Sequence, residues 1–146
     1  DKEKEMLRTV LTGTRVANSL RAFSTTPKAL ISSLDAKDFD KVVIEGSNSN
    51  TVVIDFFASW CPPCRELSPR LEKAHTTVFP EKNVSLFAFS IEQDQGSDIA
   101  MDHDVSSIPH VIAFKNGKPF KQFVGAIRDE ELIKFFESLK DNKASK

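Results

Sequence analysis

Tyrosine is missing from this 146-residue chain, tryptophan occurs once and cysteine only twice. Two cysteines three positions apart cannot staple distant parts of a fold, so stability must come from a core and the pair is free for chemistry. A strong charge of either sign is also lacking. Twenty basic against 21 acidic residues give a net charge of −1, which weighs against nucleic acid as a main partner. No apolar run approaches the ~20 residues of a membrane-spanning helix. The three histidines form no pair at zinc-ligand spacing, so a metal site would lack half its ligands. What is present is 40% hydrophobic residues, 28% charged residues and twelve phenylalanines. That is the composition of an ordinary soluble globular chain with one core and a single domain.

Both cysteines lie in one run, Trp60-Cys61-Pro62-Pro63-Cys64-Arg65. A C-x-x-C pair at a strand-to-helix junction is a redox centre or half a metal site, and the shortage of further ligands favours the first.

The N-terminal segment has a different character. From Met6 to Phe23 it holds Arg8, Arg15 and Arg21, several hydroxyls and no acid, with Leu7, Val10, Leu11 and Thr14 at helical spacing. This is the composition of a mitochondrial transit peptide, and the arginines break the apolar run that a secretory signal needs. Arg21-Ala22-Phe23 before Ser24 looks like a matrix-processing site, while Asp1 to Glu5 read as a charged upstream extension. Residues 1–27 are expected to be an extension with a matrix address, 28–140 the domain, and 141–146 a frayed tail. The first 23 positions carry five of the basic and three of the acidic residues, which leaves the remainder with 15 and 18.

Strand and helix signals alternate after Pro27. Ala29 to Leu34 is a short apolar run, followed by Asp35 as a helix cap with Phe39, Val42 and Val43 on one face. Thr51 to Ala58 is continuous and β-branched, as in a central strand buried on both faces. Leu67, Leu71, Ala74 and Val78 repeat at helical spacing after the cysteines. A second buried strand follows from Val84 to Ile91, then a polar loop at 92–98 and a short helix near Asp98 to Asp102. Val111 to Lys115 and Lys118 to Val124 form a hairpin about Asn116-Gly117. Asp129 is expected to cap a last helix with Leu132, Phe136 and Leu139 inward. The order β-α-β-α-β-α-β-β-α predicts an α/β fold, a central mixed β-sheet flanked by helices on both faces.

In disulfide exchange the nucleophile is a thiolate, so the site must favour the anion. Cys61 is placed at the N-terminus of a helix beginning at Pro62, where unpaired N–H groups and the helix dipole stabilise negative charge. Pro62 and Pro63 suit a first turn and stiffen the loop. Cys64, one turn on and more buried, has the position of a resolving thiol.

These motifs carry a family resemblance. Val53-Ile54-Asp55-Phe56-Phe57-Ala58-Ser59-Trp60-Cys61-Pro62-Pro63-Cys64 resembles the active-site strand and loop of the thioredoxin family. Ser107-Ile108-Pro109 resembles its cis-proline loop, Phe114 to Lys118 and Val124-Gly125-Ala126 its C-terminal hairpin, and Pro69 the proline inside its active-site helix. The likeness runs in order over about residues 28–140.

The resemblance implies a thioredoxin fold and a protein disulfide reductase that needs no cofactor and no metal. It implies that Cys61 attacks the substrate disulfide and Cys64 resolves the mixed disulfide. Asp55 would be a buried carboxylate beneath the pair, its pKa raised by desolvation, that takes the Cys64 proton. Trp60, Pro62, Pro63, Ile108 and Pro109 would meet the substrate. The implied partners are an NADPH-dependent thioredoxin reductase and disulfide proteins such as peroxiredoxins, with no nucleic acid or membrane and the chain a monomer. A tryparedoxin- or nucleoredoxin-like oxidoreductase, which shares the Trp-Cys-Pro-Pro-Cys-Arg motif, and a thioredoxin-like binding module are the alternatives.

Four positions depart from the family pattern. Pro62 replaces glycine, Phe57 stands where a second tryptophan is usual, Ala88 where many members place a buried lysine, and His110 where threonine is usual. His110 is read as exposed, with substrate contact or pH sensitivity as the alternative. His75 and His103 are placed on surfaces, the acidic Glu92-Gln93-Asp94 loop on a solvated face, Glu66 and Arg70 as a surface pair, and the Asn83-Val84-Ser85 sequon as chance.

Overall fold

The computed structural model describes residues 31–81 and 83–140. The expected leader and the expected frayed tail lie outside the described residues.

Five strands form one sheet: β1 (Ser32–Ser33), β2 (Thr51–Phe57), β3 (Val84–Ser90), β4 (His110–Lys115) and β5 (Lys118–Val124), in the spatial order β1-β3-β2-β4-β5. β3 runs parallel to β1 and β2, whereas β4 is antiparallel to both β2 and β5. The β-branched run 51–57 therefore lies in the middle, and its five inner residues are buried. Parallel neighbours need a crossover, and helices supply it on both faces. They are a helical stretch over residues 36–48, here α1, then α2 (Pro62–Val78), α3 (Gly96–Asp102) and α4 (Asp129–Ser138).

Alternation along β2 divides its side chains between two cores. Val53 packs with Leu67 and Leu71 of α2, Val111 and Ala113 of β4, and Leu132 and Phe136 of α4. Ile54 and Phe56 face the other way, onto Phe39 and Val43 of α1, Phe89, Ala100, Ile112 and Phe114. Two helices thus cover each face. Phe39 centres the second core, with ring centroids 5.2 Å from Phe89, 6.1 Å from Phe114 and 6.4 Å from Phe56.

Two expected helix caps are corrected. Asp35 makes no side-chain cap. The Ala36 N–H donates instead to Gln93 Oε1 at 2.7 Å, so a side chain 57 residues away satisfies the donor. α1 is also not a regular α-helix. It runs as 3-10 turns at Ala36–Asp38 and Gly46–Asn48 around a π-helical Asp40–Glu45. Asp129 lies inside the first turn of α4, not at its cap. The capping carboxylate is that of Glu131, which accepts from the Arg128 N–H at 3.0 Å. Asp129 instead accepts from Arg70 Nε at 2.6 Å and ties α4 to α2. Arg70 also reaches Glu66 at 3.3 Å and the Ile127 carbonyl, so the expected surface pair is one arm of a tertiary anchor.

The β4–β5 hairpin turns at Asn116 and Gly117, whose φ of 53° and 77° demand left-handed backbone. Buried Ser47 of α1 anchors that turn, with its carbonyl accepting from the Asn116 N–H and its Oγ from the Gly117 N–H.

Because Phe39 holds four aromatic neighbours, Phe56 of β2, Phe89 of β3, Phe114 of β4 and His103 at the end of α3, Phe39→Ala should cost about 3–5 kcal/mol. A urea titration should show a lower midpoint with an unchanged slope.

Candidate active site

β2 ends at Phe57 and α2 starts at Pro62, so the turn between them stands at one end of the central strand. Cys61 caps α2 with extended backbone, and its Sγ accepts from the Cys64 N–H at 3.3 Å. Pro62 and Pro63 fill the first helical positions, where their missing N–H groups leave nothing unpaired. Cys61 and Cys64 are joined by a disulfide and both are buried. A sulfur at this place receives a backbone donor and the positive end of the helix dipole, the two features that stabilise a thiolate.

The Ile108–Pro109 peptide is cis, as the family resemblance implied, and Cys61 Sγ lies 4.0 Å from the Ile108 carbonyl oxygen. An open groove of about 500 Å³ runs beside the disulfide, walled by Trp60, Pro62, Pro63, Met101, Val105 and Ile108. Trp60 is 65% exposed. It is a groove wall rather than a core residue. Four of the five expected substrate-contacting residues, Trp60, Pro62, Pro63 and Ile108, thus line this groove, and Pro109 follows Ile108 through the cis peptide.

Asp55 points to the α2 face of β2 and is fully buried. Its register neighbours, Ala88 on β3 and Val111 on β4, bring no polar side chain. Oδ2 is 3.4 Å from Ser68 Oγ of α2, and Oδ1 has no partner among the described residues. Burial raises its pKa from 3.8 to about 7, against a smaller lowering by the Ser68 hydroxyl. A carboxyl that titrates near neutrality beneath a dithiol can take and release a proton under working conditions.

Other expectations need correction. The Glu92-Gln93-Asp94 loop is not simply a solvated face. Glu92 accepts from the Ser59 N–H at 2.6 Å and from Ser59 Oγ at 3.0 Å, pinning the residue two before Cys61. Gln93 bridges the Ala36 N–H and the Leu34 carbonyl. His110 is buried, not exposed. Its Nε2 pairs with Gln122 Oε1 at 2.8 Å, while Nδ1 has no partner among the described residues. His75 and His103 are half-buried rather than on open surfaces. His75 bonds the Val84 carbonyl through Nε2. His103 packs tilted against Phe39 and edge-on to Phe114, and that burial lowers its pKa despite Asp102, Asp40 and Asp104.

Glu92 and Ser68 are the site residues that sequence reasoning missed. For Ser68 the available signal was its spacing, one turn after Cys64 on the helix. Glu92 lies 33 residues from its partner and carries no local signal.

A sequence model of the family described as Thioredoxin matches residues 30–138. The chain belongs to the thioredoxin family. It is 38% identical over 103 residues to a probable thioredoxin-2 of Caenorhabditis elegans, covering 70% of this chain and 67% of that one. Against a mitochondrial thioredoxin of Rattus norvegicus the identity is 37% over 131 residues, 86% of this chain and 72% of the relative. A mitochondrial thioredoxin of Bos taurus is 40% identical, but only 57% of its length is spanned. The crystal structure of a Malassezia sympodialis thioredoxin superposes with a TM-score of 0.61 at 27% identity, over 75% of this chain and 87% of that one. Family membership makes the chain an oxidoreductase and the Cys61–Cys64 pair its redox-active disulfide.

The Asp55 carboxyl binds its proton more tightly folded than unfolded, so stability falls as pH rises from about 4 to about 7. Asp55→Asn removes that dependence. Oxidised Asp55→Asn should exceed the parent by about 3–4 kcal/mol at pH 8 and converge with it near pH 4, as read by urea unfolding across pH.

Proposed function

We propose that this chain is a mitochondrial thioredoxin that reduces protein disulfides through Cys61 and Cys64, with Asp55 as the proton acceptor. The observation that carries the reading is the sulfur pair at the start of α2, with the Cys64 N–H on Cys61 Sγ and a carboxyl buried under the same turn.

The dithiol form begins the cycle. The Cys61 thiolate attacks one sulfur of the substrate disulfide, forming a mixed disulfide and releasing the first substrate thiolate, which takes a proton from water. Cys64 gives its proton to Asp55 and attacks Cys61 Sγ. The Cys61–Cys64 bond forms, the bond to substrate breaks, and the second substrate thiolate leaves and is protonated. The substrate has gained two electrons and the protein dithiol has lost them. The groove beside Trp60 and Ile108 suits an extended apolar segment of the substrate. Thioredoxins are in general restored by thioredoxin reductase at the expense of NADPH. That enzyme is proposed as the partner here, with peroxiredoxins among the substrates. The Arg-rich segment 6–23 and the mitochondrial relatives of rat and cattle support a matrix location.

The Trp60-to-Arg65 motif favours one competing reading, a tryparedoxin- or nucleoredoxin-like protein served by another reductant. Insulin reduction with NADPH and thioredoxin reductase separates the two. The expected result is turnover by the parent, loss to background in Cys61→Ser, and a stable mixed disulfide in Cys64→Ser on a non-reducing gel. Turnover with a low-molecular-weight dithiol but none with the reductase would transfer the assignment to the competing reading.

A further inference from the structure

We propose that Ser68 is the proton outlet of the buried carboxyl: its hydroxyl passes to solvent the proton that Asp55 takes from Cys64. The inference rests on the reading of Asp55 as the proton acceptor and extends it.

Each turnover leaves one proton on a side chain with no exposed surface. That proton either returns to Cys64 when the disulfide is reduced again or exchanges with water, and exchange needs a route out of the interior. The sheet offers no way out, since Ala88 and Val111 flank Asp55 in register on either side. Oδ1 has no partner, and the single hydrogen-bond partner of Oδ2 among the described residues is Ser68 Oγ. Burial and this hydroxyl are what act on the carboxyl. No charged side chain of β3, β4, α2 or α4 is among the causes, and in the reduced form the Cys61 and Cys64 thiols would be the other titratable groups of the turn above it.

Ser68 has two acceptors for one hydroxyl proton. Its Oγ is 3.1 Å from the Cys64 carbonyl oxygen and 3.4 Å from Asp55 Oδ2. With Asp55 protonated, the carboxyl O–H donates to Ser68 Oγ and the serine donates to the carbonyl. With Asp55 ionised, a rotation of the hydroxyl turns its proton toward the carboxylate. Both states are satisfied without moving the helix. Ser68 is only half-buried, so it spans the distance between the sealed carboxyl and water. The transfer balances once the serine O–H turns from the Cys64 carbonyl to a solvent water: the O–H bond of Asp55 breaks as one forms at Ser68 Oγ, and the original serine proton goes to that water. No electrons move in this step.

The test is stopped-flow fluorescence of Trp60, the only tryptophan of the chain, as reduced protein reacts with a disulfide peptide from pH 5.5 to 9. Asp55→Asn is expected to abolish a rising limb near pH 7. Ser68→Ala should remain folded by thermal melt, move that limb to higher pH, and react roughly three- to tenfold more slowly at pH 7, the effect of one hydrogen bond of ordinary strength. Ser68→Thr, which keeps the hydroxyl, should restore the parent profile. If Asp55→Asn changes the profile while Ser68→Ala superposes on the parent, the proton leaves elsewhere and the proposal fails, with the Asp55 reading intact. An Asp55→Asn profile identical to the parent overturns both. Equal slowing of Ser68→Ala at every pH, unrelieved by threonine, makes the hydroxyl a packing element and also overturns the proposal.

Discussion

The central strand has no free side. β2 is hydrogen-bonded along one edge to β3 and along the other to β4, and helices cover both of its faces. This one constraint places everything that matters for chemistry. A strand buried all round must expel its chain at the end, so the turn at Ala58 to Cys61 emerges there and the next helix crosses back over the face it came from. The start of that helix, with its unpaired N–H groups, is then set over Asp55. One turn of structure thus holds two opposite environments for negative charge. The helix end stabilises an anion on sulfur, while the interior below penalises an anion on oxygen. In the proposed cycle a proton passes from Cys64 to Asp55, and the balance between these two environments decides which group holds it.

Those parts of the fold whose cause is local were legible in the sequence. The β-branched run gave β2 to within one residue, the apolar spacing gave α2, and Asn116-Gly117 gave the hairpin with both strands. The Cys61 cap and its two prolines could be read for the same reason. The errors share a different cause. Asp35 and Asp129 look like caps by composition, yet the side chains that bond the backbone at these helix starts are Gln93, on the Ala36 N–H, and Glu131, on the Arg128 N–H, and Asp129 is claimed by Arg70 from 59 residues away. The acidic loop 92–94 reads as solvated because its partners, Ser59 and the 34–36 backbone, are distant in sequence. His110 was missed because β4 begins one residue earlier than the apolar run does, which carries the imidazole inside. The cis peptide at Pro109 came from family resemblance, since nothing in residue spacing requires it.

The departures from the family pattern also acquire a common sense. Ala88 removes an amine from the β3 side of Asp55, and Phe57 removes an indole donor at the end of β2. Polar support for the site comes instead from elements that the sheet does not contain: Glu92, from the loop after β3, grips Ser59, and Ser68 reaches inward from α2. The consequence is directional. With an alanine and a valine beside it in the sheet, the buried carboxyl finds its one hydrogen-bond partner among the described residues on the helix that carries the cysteines. The sulfurs and the hydroxyl that meets the buried carboxyl thus lie on the same first two turns of α2. Pro62 and Pro63 fix the backbone of its first turn and so stiffen the segment that carries both sulfurs and the Cys64 carbonyl.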